Sequence, residues 1–460
     1  QHKTRQIEKL GSSAMAMVDV RVAAILVSIL ACFLLLDQAG AFTGNQTPYS
    51  PSPAIVIDLG NTNSCVAGYG HGNGQAETMF QLCIPTWVAF PGDGSVLVGE
   101  DAKNHAAPIF GFKRLLGKRR DFEREEENVR ELMARVPYKV VGRERPLVQV
   151  KMVADGAVKN LGADEITAMV FAKLRESAEA YLGRAIQEAV VTVPQQFNDP
   201  ARYSILRAAE LAGLRVTRLI DESTAAAVAH GLHRKLRDEG NVLVLHMGGG
   251  TSDASVMSYV DGVFEFMGAD EDPFLGGQDF DQRIVDHFVK LIRKKHGKDL
   301  IRNDDKGSAL GRLRTACEQA KKALSSQDVA ELSIKSPVDG VDFSASLTRA
   351  EFEELNHDLF LKVMALVESA MRQAELDKNK DLLDEIVLVG GSTMVPGIRR
   401  LVTDYFDGRR KLKNVNASVM PDQTVTLGAA LLSHPTANGY PCMGGDRRQW
   451  GYSTDWCFTD

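Results

Sequence analysis

Two similar segments decide the fold of this chain: Asp58-Leu59-Gly60-Asn61-Thr62 and His246-Met247-Gly248-Gly249-Gly250-Thr251. Each follows a short apolar run that is typical of a buried strand, residues 54–57 before the first segment and 241–245 before the second. A third apolar run, 386–389, also precedes glycines. The first two segments lie about one large domain apart in the chain, so we interpret them as corresponding turns of two related lobes that face each other.

Amphipathic stretches with helical periodicity separate these strands along the chain. The five clearest stretches are 164–182, 200–211, 280–295, 310–324 and 349–375. Because strands alternate with helices, the sequence predicts the α/β class, with sheets that are largely parallel or mixed.

The composition is that of an ordinary globular protein, with 44% hydrophobic and 25% charged residues among 460. This length predicts two or more domains. The formal net charge of −6 implies no general attraction to nucleic acid or to anionic lipid. Six cysteines are too few and too scattered for a disulfide-stapled scaffold, and without a CxxC pair a zinc ribbon is not expected.

The amino-terminal region has the pattern of a secretory signal peptide. Largely apolar residues, 22–36, follow Arg21 and precede Ala39-Gly40-Ala41, which is typical of a cleavage site after Ala41. A membrane anchor is the alternative, but the run is shorter than the roughly 20 residues that a span needs. We therefore expect no stable membrane span, and we expect the chain to enter the secretory pathway.

We predict five regions along the chain. These are a leader with the signal peptide (1–41), a linker (42–53), lobe I (54–237), lobe II (238–432) and an irregular tail (433–460). The linker is polar and rich in Pro and Ser, whereas the tail is rich in Gly, Pro, Tyr and Trp and lacks periodicity.

The glycine-rich turns have the chemistry of a phosphate-binding site. Glycine lets backbone N–H groups approach a polyanion without a Cβ in the way, and the hydroxyls of Thr62, Ser64 and Thr251 add donors. Asp58 and Asp253 offer the hard oxygens that Mg²⁺ prefers, which makes them candidate metal ligands. A single glycine turn most often only ends a strand, but three such turns favour hairpins that grip a triphosphate. No P-loop motif occurs, and no G-x-G-x-x-G opens a helix after a strand.

Several longer motifs occur in one order along the chain. They are Ile57-Asp58-Leu59-Gly60, Phe112-Lys113-Arg114-Leu115-Leu116-Gly117, Val191-Thr192-Val193-Pro194, Phe197-Asn198-Asp199, Glu222 with Thr224-Ala225-Ala226-Ala227, Gly248-Gly249-Gly250-Thr251, Gly276-Gly277-Gln278-Asp279-Phe280-Asp281, Arg314-Thr315-Ala316-Cys317-Glu318 and Leu388-Val389-Gly390-Gly391-Ser392-Thr393. On these motifs the sequence from about 54 to 432 resembles the nucleotide-binding domain of the heat shock 70 kDa chaperone family. With the leader, it is most similar to members of that family in the lumen of the endoplasmic reticulum.

The resemblance implies an actin-like fold of two lobes, with ATP or ADP and Mg²⁺ bound in the cleft between them. It also implies slow hydrolysis of ATP in support of protein folding. Lys113 matches the catalytic lysine that positions the attacking water, Glu222 matches a carboxylate that helps to hold the Mg²⁺ and its water shell, and Thr251 matches the hydroxyl near the γ-phosphate. Pro194 and Arg202 match positions that relay the nucleotide state toward the interlobe linker.

Further positions match the nucleotide-binding residues of the family. In chain order they are Gly60, Asn61, Thr62, Asn63, Gly248, Gly249, Gly250, Thr251, Gly276, Gly277, Glu318, Lys321, Lys322, Ser325, Gly390, Gly391, Ser392 and Asp422. The four of them between 318 and 325 have a spacing that places them on one face of a helix, which resembles the adenosine-binding helix of the family.

The sequence departs from the family at the chemistry of the site. His246 stands where the family has an aspartate that helps to orient the water shell of the metal. Neutral imidazole suits Zn or Cu better than Mg²⁺, and imidazolium would repel a cation, so we expect hydrolysis to be slower by about 10–10³-fold. Asn61 and Asn63 replace a Thr and a Tyr but keep amide donors. Met394 replaces an Arg expected against the adenine, and Ser223 replaces a proline linked to allosteric coupling.

We expect no peptide-binding domain after residue 432, because the 28 residues that follow are too few for one. Contact with unfolded polypeptide is then only indirect, and the expected partners are J-domain co-chaperones and nucleotide-exchange factors. The alternative function is a non-hydrolysing, nucleotide-dependent interaction module that regulates full-length chaperones or their co-chaperones. A sugar kinase of the same superfamily and a decayed gene copy are more remote hypotheses.

Overall fold

Two mixed sheets and the helices that cover them build the fold. In this computed structural model the described residues are 55–71, 77–105, 107–119, 123–151, 158–236, 239–296, 308–338, 341–406, 420–433, 439–440 and 457–458. The predicted leader (1–41), the predicted linker (42–53) and most of the predicted tail (433–460) therefore lie outside the described residues. Within that tail, two strands of two residues each form an antiparallel pair.

Strands and helices alternate along the described residues, which confirms the predicted α/β class. The strands are β1 (Ile55–Asp58), β2 (Asn63–His71), β3 (Glu77–Pro85), β4 (Val88–Ala89), β5 (Leu97–Val98), β6 (Lys139–Val141), β7 (Leu147–Lys151), β8 (Val158–Leu161), β9 (Glu188–Val193), β10 (Arg215–Asp221), β11 (Glu239–Met247), β12 (Ser252–Val260), β13 (Val263–Asp272), β14 (Val329–Val338), β15 (Val341–Thr348), β16 (Glu385–Val389), β17 (Gly439–Tyr440) and β18 (Cys457–Phe458). The α-helices are α1 (Glu100–Lys103), α2 (Glu123–Arg135), α3 (Ala163–Leu182), α4 (Asp199–Leu211), α5 (Glu222–Ala229), α6 (Leu232–Lys235), α7 (Gly277–His296), α8 (Ser308–Ala323), α9 (Arg349–Leu355), α10 (His357–Gln373), α11 (Pro396–Tyr405) and α12 (Thr424–Ser433). Short 3₁₀ helices occur at Phe112–Leu115, Lys380–Leu382 and Gly391–Met394. Within the part of the chain that the structure describes, no helix has the length and apolar character of a membrane span.

The two large sheets share one local plan. The strand order is β10-β9-β1-β2-β3 in the first sheet and β13-β12-β11-β16 in the second. In each sheet a central strand, β1 or β11, is antiparallel to the next strand in the chain and parallel to a later one, β9 or β16. The two glycine segments are therefore the turns of equivalent hairpins, β1–β2 and β11–β12. The lobe boundary between residues 237 and 238 stays a prediction.

Three hydrophobic clusters fill the space around these sheets. Neighbouring residues on a strand point to opposite faces, so Ile57 packs with α3 and α4 whereas Val56 belongs to a different cluster. In the same way Leu245 packs with α7, α8 and α10, whereas Val244 joins the cluster of Val56. This third cluster also contains residues of α5 and α12, so it connects the two sheets. Because β1 and β11 are buried on both faces, their sequences are continuous apolar runs.

The predicted helical stretches agree with the structure except in one place. The stretches 164–182, 200–211, 280–295 and 310–324 correspond to α3, α4, α7 and α8, with ends shifted by a few residues. The stretch 349–375 is instead two helices, α9 and α10, so the prediction of one helix there was wrong. The break falls at buried Asn356, whose side-chain Nδ2 donates to the carbonyl oxygen of Phe352 at 2.8 Å. The side chain of Asn356 thus gives the carbonyl oxygen of Phe352 a hydrogen-bond donor at the end of α9, and the helix can end there.

One disulfide bond occurs in the described residues, between Cys65 on β2 and Cys83 on β3. The two cysteines are direct partners in the antiparallel register of these strands. The sequence does not reveal this bond, because a separation of 18 residues does not show that two cysteines face each other. Cys317 on α8 is a buried free thiol.

Helices α5 and α12 cross where Gly428 faces Ala225. A Cβ on Gly428 would overlap the carbonyl oxygen of Ala225, so the two helix backbones are in direct contact. Helix α12 also packs against β1, β2 and β9 of the first sheet. Because α5 begins at Glu222, this crossing fixes a predicted catalytic carboxylate relative to the first sheet.

We expect Gly428→Ala to lower the free energy of unfolding by about 1–3 kcal/mol, because the added methyl group overpacks the crossing. Gly311→Ala is the matched control. Gly311 also lies within a helix, α8, but a Cβ there has nothing within 4 Å, so we expect a gain of about 0.5–1 kcal/mol. Urea unfolding of both variants measures these changes, and equal stability of the two variants would contradict the close crossing.

Candidate functional site

A buried ion pair joins two of the predicted catalytic residues. Lys113 lies in the 3₁₀ helix Phe112–Leu115, and Glu222 is the first residue of α5. Lys113 Nζ donates to Glu222 Oε1 at 3.0 Å, and the two residues are only 8% and 5% exposed. Because an unpaired buried charge is very costly, each of these side chains holds the other in place.

His246 faces the other oxygen of the same glutamate. It lies on β11 as the direct register partner of Asp253 on β12. His246 Nδ1 is 3.1 Å from Asp253 Oδ1 and 3.4 Å from Glu222 Oε2. Within the described part of the chain, Glu222, His246 and Asp253 are the one set of three side chains whose His and carboxylate ligand atoms are close enough together to hold a metal ion.

The two carboxylates change the protonation of His246. Removal from solvent lowers the pKa of the imidazole, but the hydrogen bond and charge of Asp253 and the charge of Glu222 outweigh this effect and raise the pKa of His246 to about 9. In the metal-free protein the imidazole is therefore charged at neutral pH.

Asp58, the last residue of β1, accepts hydrogen bonds from two hydroxyl groups. Thr192 Oγ1 donates to Asp58 Oδ1 at 2.7 Å, and Thr426 Oγ1 of α12 donates to Asp58 Oδ2 at 3.2 Å. Burial and the charge of Glu222 raise the pKa of Asp58 above its ordinary value, against the opposing charge of Lys113. Asp58 thus interacts electrostatically with both members of the buried Lys113–Glu222 ion pair.

The first two predicted glycine turns lie against each other. Asn61 Nδ2 donates to Thr251 Oγ1 at 3.4 Å, and a Cβ on Gly249 would collide with the side chain of Thr62. Asn61 Oδ1 and Thr62 Oγ1 are buried without a hydrogen-bond partner among the described residues. A buried polar atom without a partner is costly, so these two atoms have unused hydrogen-bonding capacity beside the glycine turns.

Two further predicted segments meet at the second glycine turn. Gly277 N and Ser392 Oγ both donate to the carbonyl oxygen of Gly248, at 3.1 and 2.8 Å. A Cβ on Gly276 would collide with the backbone of this turn, and a Cβ on Gly390 would collide with the end of β11. We call residues 60–63, 248–251, 276–277 and 390–392 together the glycine cradle.

Helix α8 carries residues that were predicted to bind adenosine. Lys321 Nζ donates to the carbonyl oxygen of Gly277 at 2.8 Å and pairs with Asp281 Oδ2 at 2.7 Å. Lys321 is therefore attached to the glycine cradle. Lys322 is exposed and pairs with Glu318 at 2.7 Å.

The other predicted nucleotide-binding residues surround the same region. Asn63 is exposed at the start of β2, and a Cβ on Gly60 would collide with the Asn63 carbonyl oxygen. Asp422 is exposed, and a Cβ on Gly391 would lie 3.9 Å from its Cβ. Ser325 is half-buried just after α8. The nucleotide contacts of these residues stay predictions.

The two predicted relay residues are linked to the residue that precedes Glu222. The carbonyl oxygen of Pro194 accepts from Phe197 N at 3.1 Å, and Arg202 Nε donates to the carbonyl oxygen of Phe197 at 3.0 Å. Arg202 Nη2 also donates to Asp221 Oδ1 at 2.9 Å. Direct contacts therefore connect Pro194 to the start of α5, and the relay of nucleotide state along them stays a prediction.

Arg114 contacts the second glycine turn and was not among the predicted site residues. Its Nη2 donates to the carbonyl oxygen of Gly250, and its Nε donates to the carbonyl oxygen of Pro273, both at 2.6 Å. Burial lowers the pKa of Arg114 to about 10, so it stays charged at neutral pH. The signal in the sequence was its place beside Lys113 in one motif, but nothing local shows that the side chain reaches residues so distant in the chain.

Comparison with known proteins assigns the chain to a family. The family model described as "Hsp70 protein" matches residues 54–437. The chain is 46% identical to "Heat shock 70 kDa protein BIP3" of Oryza sativa subsp. japonica over 385 residues, which are 82% of this chain and 56% of that protein. It is 43% identical to a "Heat shock 70 kDa protein" of Neurospora crassa and 44% identical to one of Emericella nidulans, each over 388 residues that are 83% of this chain and 58% of the relative.

The chain belongs to the Hsp70 family. This membership confirms the resemblance that the motifs indicated and the actin-like fold that it implied. The family consists of chaperones that bind ATP or ADP with a divalent metal and normally work with co-chaperones. The chain spans little more than half the length of the curated relatives that it matches, 56–58%.

We expect the imidazole of His246 in the metal-free protein to titrate near pH 9 rather than near 6.5. Because the pKa is raised in the folded state, the charged imidazole stabilises the fold fully below about pH 6.5 and this contribution is lost as pH rises through 9. NMR titration of the ten histidines, with His246→Gln to assign the signal, measures the midpoint. A midpoint below pH 7 would contradict the pairing with Asp253 and Glu222.

Proposed function

We propose that this chain binds ATP or ADP in the glycine cradle and hydrolyses ATP slowly, as the nucleotide-binding domain of a chaperone of the endoplasmic reticulum. One observation carries this proposal: two glycine turns from the two large sheets meet at Asn61 and Thr251, and the Lys113–Glu222 ion pair lies beside His246 and Asp253 near the ends of β11 and β12. Membership of the Hsp70 family supports the same ligand.

The polar groups of the cradle suit a polyphosphate. Thr62 Oγ1 is buried and unpartnered, so a phosphate oxygen could bind it without breaking an existing hydrogen bond. The glycines at 248–250 leave the backbone accessible to an anion. Lys113 and Lys321 add two cations, each held in place by a carboxylate. We therefore propose the nucleotide contacts at the positions that the sequence predicted.

The carboxylates do not form the all-oxygen site that Mg²⁺ prefers. Asp58 and Asp253 were the predicted Mg²⁺ ligands, but Asp253 and Glu222 both face Nδ1 of His246. Imidazole is a ligand for Zn, Cu, Fe and Ni rather than for Mg²⁺. The mechanism proposed here therefore depends on the side chains of the chain alone.

These side chains would act on the terminal phosphate by charge and position. The ammonium group of Lys113, held by Glu222, stabilises negative charge that develops during phosphoryl transfer. Thr251 Oγ1 accepts from Asn61 and keeps its own proton to donate to a phosphate oxygen. Protonated His246 has no lone pair with which to accept a proton from the attacking water. Hydrolysis is therefore slow, because the position of the general base holds a donor.

A non-hydrolysing, nucleotide-dependent interaction module is the second candidate function. The same observation favours it, since His246 binds the two carboxylates that would otherwise act on metal and water. Such a module would bind the co-chaperones of full-length relatives and so regulate them. The two candidates differ in whether bound ATP is turned over.

We propose that the protein resides in the lumen of the endoplasmic reticulum, and three observations support this proposal. The leader has the pattern of a signal peptide, the chain is similar to a rice protein whose name contains BIP3, and disulfides such as Cys65–Cys83 persist mainly in oxidising compartments. The partners that we propose are J-domain co-chaperones and nucleotide-exchange factors.

We expect His246→Asp to raise the single-turnover rate of ATP hydrolysis by about 10–10³-fold, because it restores an acceptor for the attacking water. His357→Asp makes the same change at an exposed position and should leave the rate unchanged. Both rates are measured on the full chain with Mg²⁺, beside direct titration with ATP. Binding without turnover in the native chain and in His246→Asp would favour the interaction module, and no binding by folded protein would refute both candidates.

We expect the peptides that contain Cys65 and Cys83 to be recovered as one linked species when the chain is expressed through the secretory pathway. Mass spectrometry without reductant detects this species. A bond that closes a loop of this length stabilises a protein by about 3 kcal/mol, so Cys83→Ser should lower the free energy of unfolding by about that amount. Reductant should then have no further effect on the variant. Recovery of both residues as free thiols would contradict the lumenal assignment.

A further inference from the structure

We propose that Glu222, His246 and Asp253 bind a divalent transition metal, Zn²⁺, through one imidazole nitrogen and two carboxylate oxygens. This metal would replace the Mg²⁺ that the motifs alone lead one to expect. The metal site itself is independent of nucleotide binding. Its fourth ligand is water in the free protein, and only the replacement of that water by a phosphate oxygen of the nucleotide rests on the proposed function.

The distances between the three ligand atoms suit a tetrahedral metal. His246 Nδ1 lies 3.1 Å from Asp253 Oδ1 and 3.4 Å from Glu222 Oε2, and the ligand atoms of all three residues lie within 4.8 Å of one another. A tetrahedron with metal–ligand bonds of about 2.0–2.1 Å has edges of about 3.3–3.4 Å. The two distances from His246 Nδ1 are close to this edge, and the two carboxylate oxygens, which lie within 4.8 Å of each other, would approach each other around the ion.

A single proton on Nδ1 of His246 cannot bridge both carboxylates well, whereas a metal ion can bind both. Nδ1 carries at most one proton, and it has hydrogen-bond geometry toward Asp253 while its contact with Glu222 is an ion-pair contact. A metal bound at Nδ1 would take the place of that proton and bind both carboxylates at once. Imidazole with carboxylates is also a donor set that Zn²⁺ accepts readily and that Mg²⁺ does not prefer.

Surrounding contacts already orient each of the three ligands. Lys113 binds Glu222 Oε1 at 3.0 Å, which leaves Oε2 directed toward the imidazole. His246 and Asp253 are fixed as direct partners in the ladder of β11 and β12. A Cβ on Gly390 would lie only 3.0 Å from His246 Cδ2, so this glycine lets the ring occupy its position. The hydrogen bond from Lys113 is an outer contact of the kind that orients a metal ligand.

The charge of the region also calls for a cation. Asp58 contributes a further carboxyl group to the electrostatic surroundings of Glu222 and His246, and Lys113 is the positive group paired within this set. In the metal-free protein three carboxyl groups thus stand against the ammonium group of Lys113 and the imidazolium group of His246. A divalent ion beside a neutral imidazole would compensate the excess of negative charge.

Cobalt(II) provides a direct test, because a four-coordinate Co²⁺ site absorbs strongly in the visible. The full chain is stripped of metal with a chelator, freed of the chelator by dialysis and titrated with Co²⁺. We expect one equivalent of Co²⁺ to give a four-coordinate band, Zn²⁺ to displace it and a large excess of Mg²⁺ to leave it in place. Competition with a chromophoric chelator then gives the affinity for Zn²⁺.

Variants decide whether the three residues are the ligands. His246→Asp should abolish the Co²⁺ band and weaken Zn²⁺ binding by about 100-fold or more, since loss of a ligand exceeds the effect of an outer contact. His357→Asp, the same change at an exposed position, should bind as the native chain does. Asp253→Asn provides a second variant if His246→Asp does not fold, as judged by thermal melting.

The outcomes separate this proposal from the proposed function. A four-coordinate band that is absent from the native chain, or that persists in folded His246→Asp, overturns the metal site. Titration with ADP in the presence of chelator measures nucleotide binding independently. Nucleotide binding without the band refutes the metal site and leaves the function, whereas the band without nucleotide binding supports the metal site and refutes the function.

Discussion

The rest of the structure depends on the crossing of α5 and α12 at Gly428, where two helix backbones touch. Because no side chain separates them there, the start of α5 is held close to the first sheet, and α12 can place Thr426 on Asp58. Glu222, the first residue of α5, is then within reach of Lys113 from the 3₁₀ helix Phe112–Leu115 and of His246 from the second sheet. A wider crossing would move these groups apart.

The second constraint is the register of the β11–β12 hairpin. An antiparallel ladder fixes which side chains face each other, and here it fixes His246 opposite Asp253. The imidazole at that position therefore cannot turn into solvent without losing its contact with Asp253. It also lies in ion-pair contact with Glu222. A single imidazole at this register position thus sets the charge of the centre at neutral pH, and the metal preference that we propose depends on the same residue.

Local features of the structure were predictable from the sequence, whereas contacts across the fold were not. The apolar runs of β1, β11 and β16 indicate burial on both faces. The motif around Lys113 is distinctive along the chain, so Lys113 could be predicted as a site residue. The pairing of Cys65 with Cys83 depends on strand register. The reach of Arg114 depends on how distant segments pack, and the break between α9 and α10 depends on a buried hydrogen bond of Asn356. None of these leaves a periodic signal.

The third hydrophobic cluster has a consequence for how the molecule comes apart. Its side chains come from both large sheets and from α5 and α12. If either sheet unfolded with the helices that cover it, apolar side chains of the other sheet would be exposed to water. The two sheets and their helices should therefore unfold together in one cooperative transition, although the chain is long enough for two independently folding domains. Local opening, of the kind that amide exchange detects, is then expected in the peripheral strands and loops. The backbone amides of the residues in the third cluster should exchange only through unfolding of the whole domain.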